Sequence, residues 1–96
     1  MTTTFQTVGI VGTGAMGRGI AQMAAQAGSQ VLLFDVQTGA ADKALKSLAD
    51  TWQKLVDKHK IDDEARTNLL ARVRCVDKVT DLAPCDLVVE AIVERL

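Results

Sequence analysis

The chain has one proline, one histidine, two cysteines and no tyrosine, and its aromatic residues are Phe5, Phe34 and Trp52 alone. Three aromatics with no basic stripe between them give no base-stacking platform, so nucleic acid is not an expected partner. The 11 basic and 12 acidic side chains leave a net charge of −1, which exerts no pull towards polyanions either. No apolar run exceeds about five residues, far short of a membrane span. The polar opening Met1-Thr2-Thr3-Thr4 has no charged start before an apolar stretch, so no secretory leader is expected. Cys75 and Cys85 stand ten positions apart without partners at metal-ligand spacing. Two reduced thiols in a cytoplasmic protein are therefore expected, rather than a disulfide or a metal site. What remains is a 96-residue chain that is 48% apolar, enough for one small packed domain and too apolar for disorder.

One region carries more information than the rest. Val8-Gly9-Ile10-Val11 reads as a buried strand, and Gly12-Thr13-Gly14-Ala15-Met16-Gly17 as a glycine turn. A small-residue helix follows to about Ala27, and Val31-Leu32-Leu33-Phe34 is a second strand with Asp35 directly after it. A lone G-x-G-x-x-G is weak evidence, but here strand, turn, helix, strand and acid occur in the order that a dinucleotide site requires. A pyrophosphate sits against the unpartnered N–H groups at a helix start, where the helix dipole adds about half a positive charge. Gly12 is expected to permit the tight turn, Gly14 to remove a side chain that would strike the phosphates, and Gly17 to let the helix approach the first strand. Ala15 and Met16 complete the turn.

Asp35 lies 18 residues beyond Gly17, where an adenosine ribose is held by its hydroxyls. A carboxylate there repels a 2′-phosphate: at about 4 Å and an effective dielectric near 20 the pair costs roughly 4 kcal/mol. Val36 and Gln37 supply no cation, so the expected cofactor is NAD rather than NADP. FAD domains use a similar turn but carry Glu after the second strand. Asp35 and the helical pair that follows favour a nicotinamide cofactor.

Further on, Ala41, Leu45, Leu48, Trp52, Leu55 and Val56 recur at spacings of three and four, predicting a long amphipathic helix from about Thr38 to His59. Asp62-Asp63-Glu64 marks the acidic start of a shorter helix to about Ala71. Val73 to Val76 is a third strand, Leu82-Ala83-Pro84 a turn, and Leu87-Val88-Val89 a fourth strand expected to be covered on both faces. Alternating strands and helices predict an α/β, Rossmann-type doubly wound parallel sheet, order 3-2-1-4, with the helical pair between strands two and three. His59 follows the long helix, away from the strand ends, and is not expected to be a catalytic base. Trp52 is expected to be packing, and Arg18 to face solvent, with help to the cofactor phosphates as the lesser alternative.

The run from Val8 to Gly17, with Gly19-Ile20-Ala21-Gln22 after it, resembles the start of the 3-hydroxyacyl-CoA dehydrogenases. Asp86-Leu87-Val88-Val89-Glu90-Ala91-Ile92-Val93-Glu94 is similar to a second signature of that family, on its fourth strand. The resemblance implies NAD-dependent oxidation of a 3-hydroxyacyl-CoA to the 3-oxoacyl-CoA. It implies that Ala91 and Glu94 lie along the nicotinamide half of the cofactor, and that Thr51 and Lys58 contact CoA. Lys54, on the same side, is a further phosphate candidate. Positions 51 and 58 are about two turns apart, so one helix face presents both. A solvated helix face is the rival reading.

Family members continue with a serine, a His-Glu pair and a helical domain that dimerises. The resemblance therefore makes residues 1–96 the N-terminal part of the cofactor domain of a longer, homodimeric enzyme, without catalytic residues of its own. The alternatives are a β-hydroxyacid dehydrogenase type of NAD module, which lacks the long helical arm, and a non-catalytic relative of the lens-crystallin kind.

Overall fold

The computed structural model describes residues 6–91. In chain order the elements are β1 (Thr7–Val11), α1 (Ala15–Gln26), β2 (Gln30–Phe34), α2 (Ala40–Asp57), α3 (Asp63–Ala71), β3 (Val73–Cys75), a 3-10 turn at Val79–Leu82, and β4 (Leu87–Glu90). The four strands form one parallel sheet in the order β3-β2-β1-β4, as expected. The register sets Val11 opposite Phe34 on one side and Glu90 on the other. The carboxyl ends of β1, β2 and β4 therefore open onto the same rim, and Gly12, Asp35 and Ala91 follow directly.

Burial explains the two inner strands. Val8 and Ile10 of β1 and all three central residues of β2, Val31, Leu32 and Leu33, are buried, as fits strands covered on both faces. Gly9 leaves room for the segment leading into β4: a Cβ there would stand 2.9 Å from Cys85 Sγ and 3.1 Å from Leu82 Cδ2. The expectation for β4 does not hold. Leu87 and Val88 are 36% and 47% exposed, because β4 lies at the sheet edge with β1 as its partner. Asp86 ties the start of that edge to β1, its Oδ2 accepting from the backbone N–H groups of Gln6 and Thr7 at 2.9 and 3.0 Å.

Helix α1 begins at Ala15, earlier than the glycine spacing suggested, with Gly14 as its N-cap. Gly17, Ala21 and Ala25 are its buried face, so the helix rests close on the sheet through residues with little or no side chain. It ends as predicted at Gly28, whose φ of +102° is the left-handed conformation that glycine adopts without strain. Gly28 N donates to Ala25 O and Ser29 N to Ala24 O, the paired bonds of a Schellman cap.

Helix α2 is shorter than expected at both ends, running from Ala40 to Asp57. Gly39, at φ +82°, sets the start, and Lys58 is the C-cap. Its buried face is Ala44, Leu48 and Trp52, with Ala41, Leu45 and Leu55 partly buried beside them. Ala44 was absent from the predicted stripe: a methyl group adds little to a hydrophobic pattern, yet its smallness lets α2 pack closely. Trp52 is wholly buried and its Nε1 donates to Gln26 Oε1 on α1 at 3.3 Å, so it is packing, as expected. Asp62 caps α3 by accepting from Ala65 N at 2.7 Å. Among the described residues no helix is long and apolar enough to cross a membrane.

Candidate cofactor site

The site is built where β1 becomes α1. Gly12, at φ +95°, turns the chain and its N–H donates to Phe34 O at 2.9 Å, so the turn stays bonded to β2. Gly14 N-caps α1 with no side-chain bond to the first turn. The first helical hydrogen bond runs from Arg18 N to Gly14 O. The N–H groups of Ala15, Met16 and Gly17 therefore precede the first bond of the ladder, and they face the rim with the positive end of the helix dipole behind them.

Gly14 and Gly17 serve this turn in opposite ways. A Cβ added to Gly14 meets nothing within 4 Å, so the space above it is open for a ligand. A Cβ on Gly17 would collide with the Gly12 carbonyl oxygen, a backbone atom, and press on Ile10 Cγ2 at 3.3 Å. Gly17 thus makes the turn possible, beyond its expected part in bringing helix to strand.

Asp35 is fixed more firmly than the sequence indicated. Its Oδ2 accepts from both the N–H and the hydroxyl of Thr13, each at 2.8 Å, and its Oδ1 accepts from Gln37 N at 2.9 Å. The Gln37 N–H, with the two Thr13 donors, holds the carboxyl below its ordinary value of 3.8, while partial burial pushes the other way. Ionised Asp35 therefore braces the glycine turn at the place where a ribose would lie.

A cavity of about 430 Å³ opens beside this brace, bordered by Thr13, Gly14, Asp35 and Gln37 on one side and by Lys43, Ala44 and Ser47 of α2 on the other. Arg18 also lines it, which corrects the expectation that this side chain faces solvent. Its Nη1 donates to Ser47 Oγ at 2.7 Å, and its Nε is buried without a partner. The separation of 29 positions from Arg18 to Ser47 hides this contact from any local pattern. Thr13 was the more discoverable omission, being the one hydroxyl residue inside the glycine turn.

The remaining expected residues are spread out. Ala15 and Met16 are exposed at the mouth of the turn. Ala91 is buried beside it, its N–H donating to Val11 O at 2.8 Å. Glu94 lies outside the described residues. Thr51 is on α2, its hydroxyl donating to Ser47 O at 3.0 Å, and Lys54 and Lys58 are exposed. From Ala40, at the rim end of α2, Thr51 is about 17 Å and Lys58 about 27 Å along the axis. His59 stands beyond the far end, so the rim has no imidazole among the described residues. Cys75 and Cys85 are free thiols. Burial, with Asp42 and Asp77 nearby, pushes the Cys75 thiol up to about 11, so it is no nucleophile near neutral pH.

The donor set fits an adenine dinucleotide: open space over Gly14, free amides behind it, and a fixed carboxylate one strand away. Comparison with known proteins agrees. A 3-hydroxybutyryl-CoA dehydrogenase of Bradyrhizobium diazoefficiens is 38% identical over 95 residues, covering 99% of this chain and 32% of that protein. The crystal structure of 3-hydroxybutyryl-CoA dehydrogenase from Escherichia coli K12 superposes with a TM-score of 0.89 at 38% identity, over 97% of this chain and 20% of that one. The (S)-3-hydroxybutyryl-CoA dehydrogenase of Ralstonia eutropha gives 0.89 at 35% identity, over 97% and 33%. The chain spans about a third of the length of curated relatives that it matches. The family described as "3-hydroxyacyl-CoA dehydrogenase, NAD binding domain" matches residues 7–96, the whole of the sheet and the three connections between its strands. With glycine turn, strand order and sequence in agreement, the chain belongs to the NAD-binding domain family of the 3-hydroxyacyl-CoA dehydrogenases, and its cofactor is NAD.

Proposed function

We propose that residues 1–96 are the N-terminal part of the cofactor domain of an enzyme that oxidises (3S)-3-hydroxyacyl-CoA to 3-oxoacyl-CoA, and that this chain supplies the half that holds NAD. Bound NAD supplies the acceptor for the hydride leaving C3 of the substrate. The amides of Ala15, Met16 and Gly17 hold the pyrophosphate, Gly12 and Gly14 leave it space, and Asp35 takes the ribose hydroxyls. Ala91, next to Gly12 at the sheet rim, and Glu94 border the nicotinamide half. The proton of the 3-hydroxyl goes to a base outside residues 6–91, since His59 is the full length of α2 away from the rim.

The same reading makes α2 and α3 an arm over CoA, with Thr51 and Lys58 contacting it. Thr51 lies on the rim-distant half of α2 and Lys58 is its C-cap, and an extended CoA is long enough to reach them from a reacting thioester near the nicotinamide. In the whole protein we expect a homodimer acting on acyl-CoA in the cytoplasm.

The observation that carries the reading is the open space above Gly14 in front of unpartnered helix amides. At φ −71° and ψ −168° a branched residue fits there without backbone strain, so Gly14→Val should fill the phosphate space and leave the fold intact. Calorimetry should show NADH binding lost while the circular dichroism spectrum and thermal midpoint are unchanged. Retained NADH affinity in a folded Gly14→Val chain overturns the reading.

A further inference from the structure

Asp35 shares its cavity with two cations that it does not use. Arg18 and Lys43 both line the space beside the carboxylate, yet among the described residues neither forms an ion pair with it. Arg18 spends one nitrogen on Ser47 and keeps a buried Nε without a partner. Lys43 lies in the first turn of α2, directly after the loop that leaves Asp35. The carboxylate cannot swing towards either cation, because Thr13 and Gln37 hold both of its oxygens. A negative group is thus fixed at the edge of a space whose other charged walls are positive.

A group that would lie next to a carboxylate taking ribose hydroxyls, and would also use two cations, is a phosphate on the 2′-oxygen of that ribose. We propose that the cavity between Asp35 and the Arg18–Lys43 pair is a latent 2′-phosphate subsite, closed to NADP(H) by the single charge of Asp35. Preference for NAD then rests on one carboxylate rather than on an absence of phosphate-binding groups. The planar guanidinium of Arg18 suits a phosphate face, and the Lys43 ammonium supplies a second point charge. Ser47 holds the guanidinium at the cavity wall. The inference rests on the NAD reading above, since without a ribose at Asp35 the cavity has no 2′-oxygen beside it.

The test is direct binding of NADH, NADPH and 2′,5′-ADP, by calorimetry, to the chain and its variants. Asp35→Asn removes the charge and keeps the shape; its amide oxygen can still accept from Thr13, while its NH2 faces the Gln37 N–H and gives up that one bond. Asp35→Ser is the second variant, should Asparagine disturb the turn. Either should bind NADPH and 2′,5′-ADP roughly tenfold to a hundredfold more tightly than the parent, the range of charge-assisted phosphate contacts. Adding Arg18→Gln and Lys43→Gln should erase that gain and leave NADH affinity within about threefold. In the parent background the same pair should weaken residual NADPH binding and spare NADH. Folded Asp35 variants with no gain for NADPH overturn the proposal, as does a gain that survives loss of both cations. A parent chain that binds neither dinucleotide overturns the NAD reading itself, so the two failures are distinct.

Discussion

The rim that faces the cofactor and the arm formed by α2 and α3 differ in how their positions are held. At the rim almost every contact is made by the backbone or by a fixed carboxylate: Gly12 N to Phe34 O, Ala91 N to Val11 O, and Asp35 to Thr13 and Gln37. Along the outer half of the arm the candidate groups are ends of side chains, with Lys54 and Lys58 in solvent and Thr51 bonded to its own helix. Backbone geometry tolerates no substitution at its tight points, whereas an exposed lysine can be replaced at little structural cost. The rim should therefore fail abruptly when altered and the arm gradually.

The largest effect is expected at Gly17. Its added methyl meets the Gly12 carbonyl oxygen, which shares a peptide plane with the Thr13 N–H and cannot swing away without disturbing that donor's bond to Asp35 Oδ2. Gly17→Ala should cost at least about 3 kcal/mol, beyond ordinary overpacking, and should lower the urea midpoint sharply. Gly14→Ala, three positions earlier, has free space and should leave stability within about 0.5 kcal/mol of the parent. Equal losses in the two variants would remove the distinction between a glycine that serves the fold and one that serves the ligand.

A smaller effect, but one with a signature, belongs to Thr13. Thr13→Val keeps the backbone bond to Asp35 and removes the hydroxyl one, a charge-assisted contact of about 1–2 kcal/mol in this partly buried setting. Because the folded carboxyl lies below 3.8, its bonds contribute stability above that pH and lose it as the pH falls through the folded value. The gap between Thr13→Val and parent in urea midpoints should be full at pH 7 and pH 5 and should close in stronger acid. A gap of constant size down to pH 2 would mean that packing of the methyl and hydroxyl, rather than the brace, sets the difference.

These contrasts also account for what was legible in the sequence. Glycines at 12, 14 and 17 and an acid after β2 have stereochemical reasons to stand where they do, so their spacing located the turn, and the alternation of strands with helices predicted the sheet order. The two-sided apolar pattern of β2 was realised, while the same pattern in β4 was not, because pattern reports what a strand is suited to and position in the sheet decides what covers it. Ala44 escaped notice since its contribution is close approach, which leaves no hydrophobic peak. Lys43 and Ser47 share a face of α2, but Arg18 reaches them only through the packing of α1 on α2, and no local periodicity encodes a contact across 29 positions.

On the arm, Lys58→Met and Thr51→Val should each weaken binding of an acyl-CoA to the full-length enzyme by roughly threefold to tenfold, the range for partly solvated polar contacts. Stability and NADH affinity should stay within error of the parent, since Lys58 is exposed and the Thr51 hydroxyl is bonded only within α2. A fall in NADH affinity in either variant would join the arm to the rim and end the separation drawn here.

The smallest effect concerns the end of the arm and is read from the chain's own two helix caps. Helices α1 and α2 finish with the same pair of bonds: Gly28 N to Ala25 O and Ser29 N to Ala24 O in the first, His59 N to Val56 O and Lys60 N to Leu55 O in the second. The left-handed position is glycine in one and histidine in the other, at φ +102° and +58°. A side chain there costs about 1 kcal/mol relative to glycine, less what glycine loses through its freer unfolded state. His59→Gly should therefore raise stability by roughly 0.5 kcal/mol, measured as a higher urea midpoint with unchanged slope. The imidazole is exposed and distant from the rim, so NADH affinity should not change. A loss of stability would show that His59 makes a contact worth more than the strain of its backbone, and that the arm is held at its tip by a side chain after all.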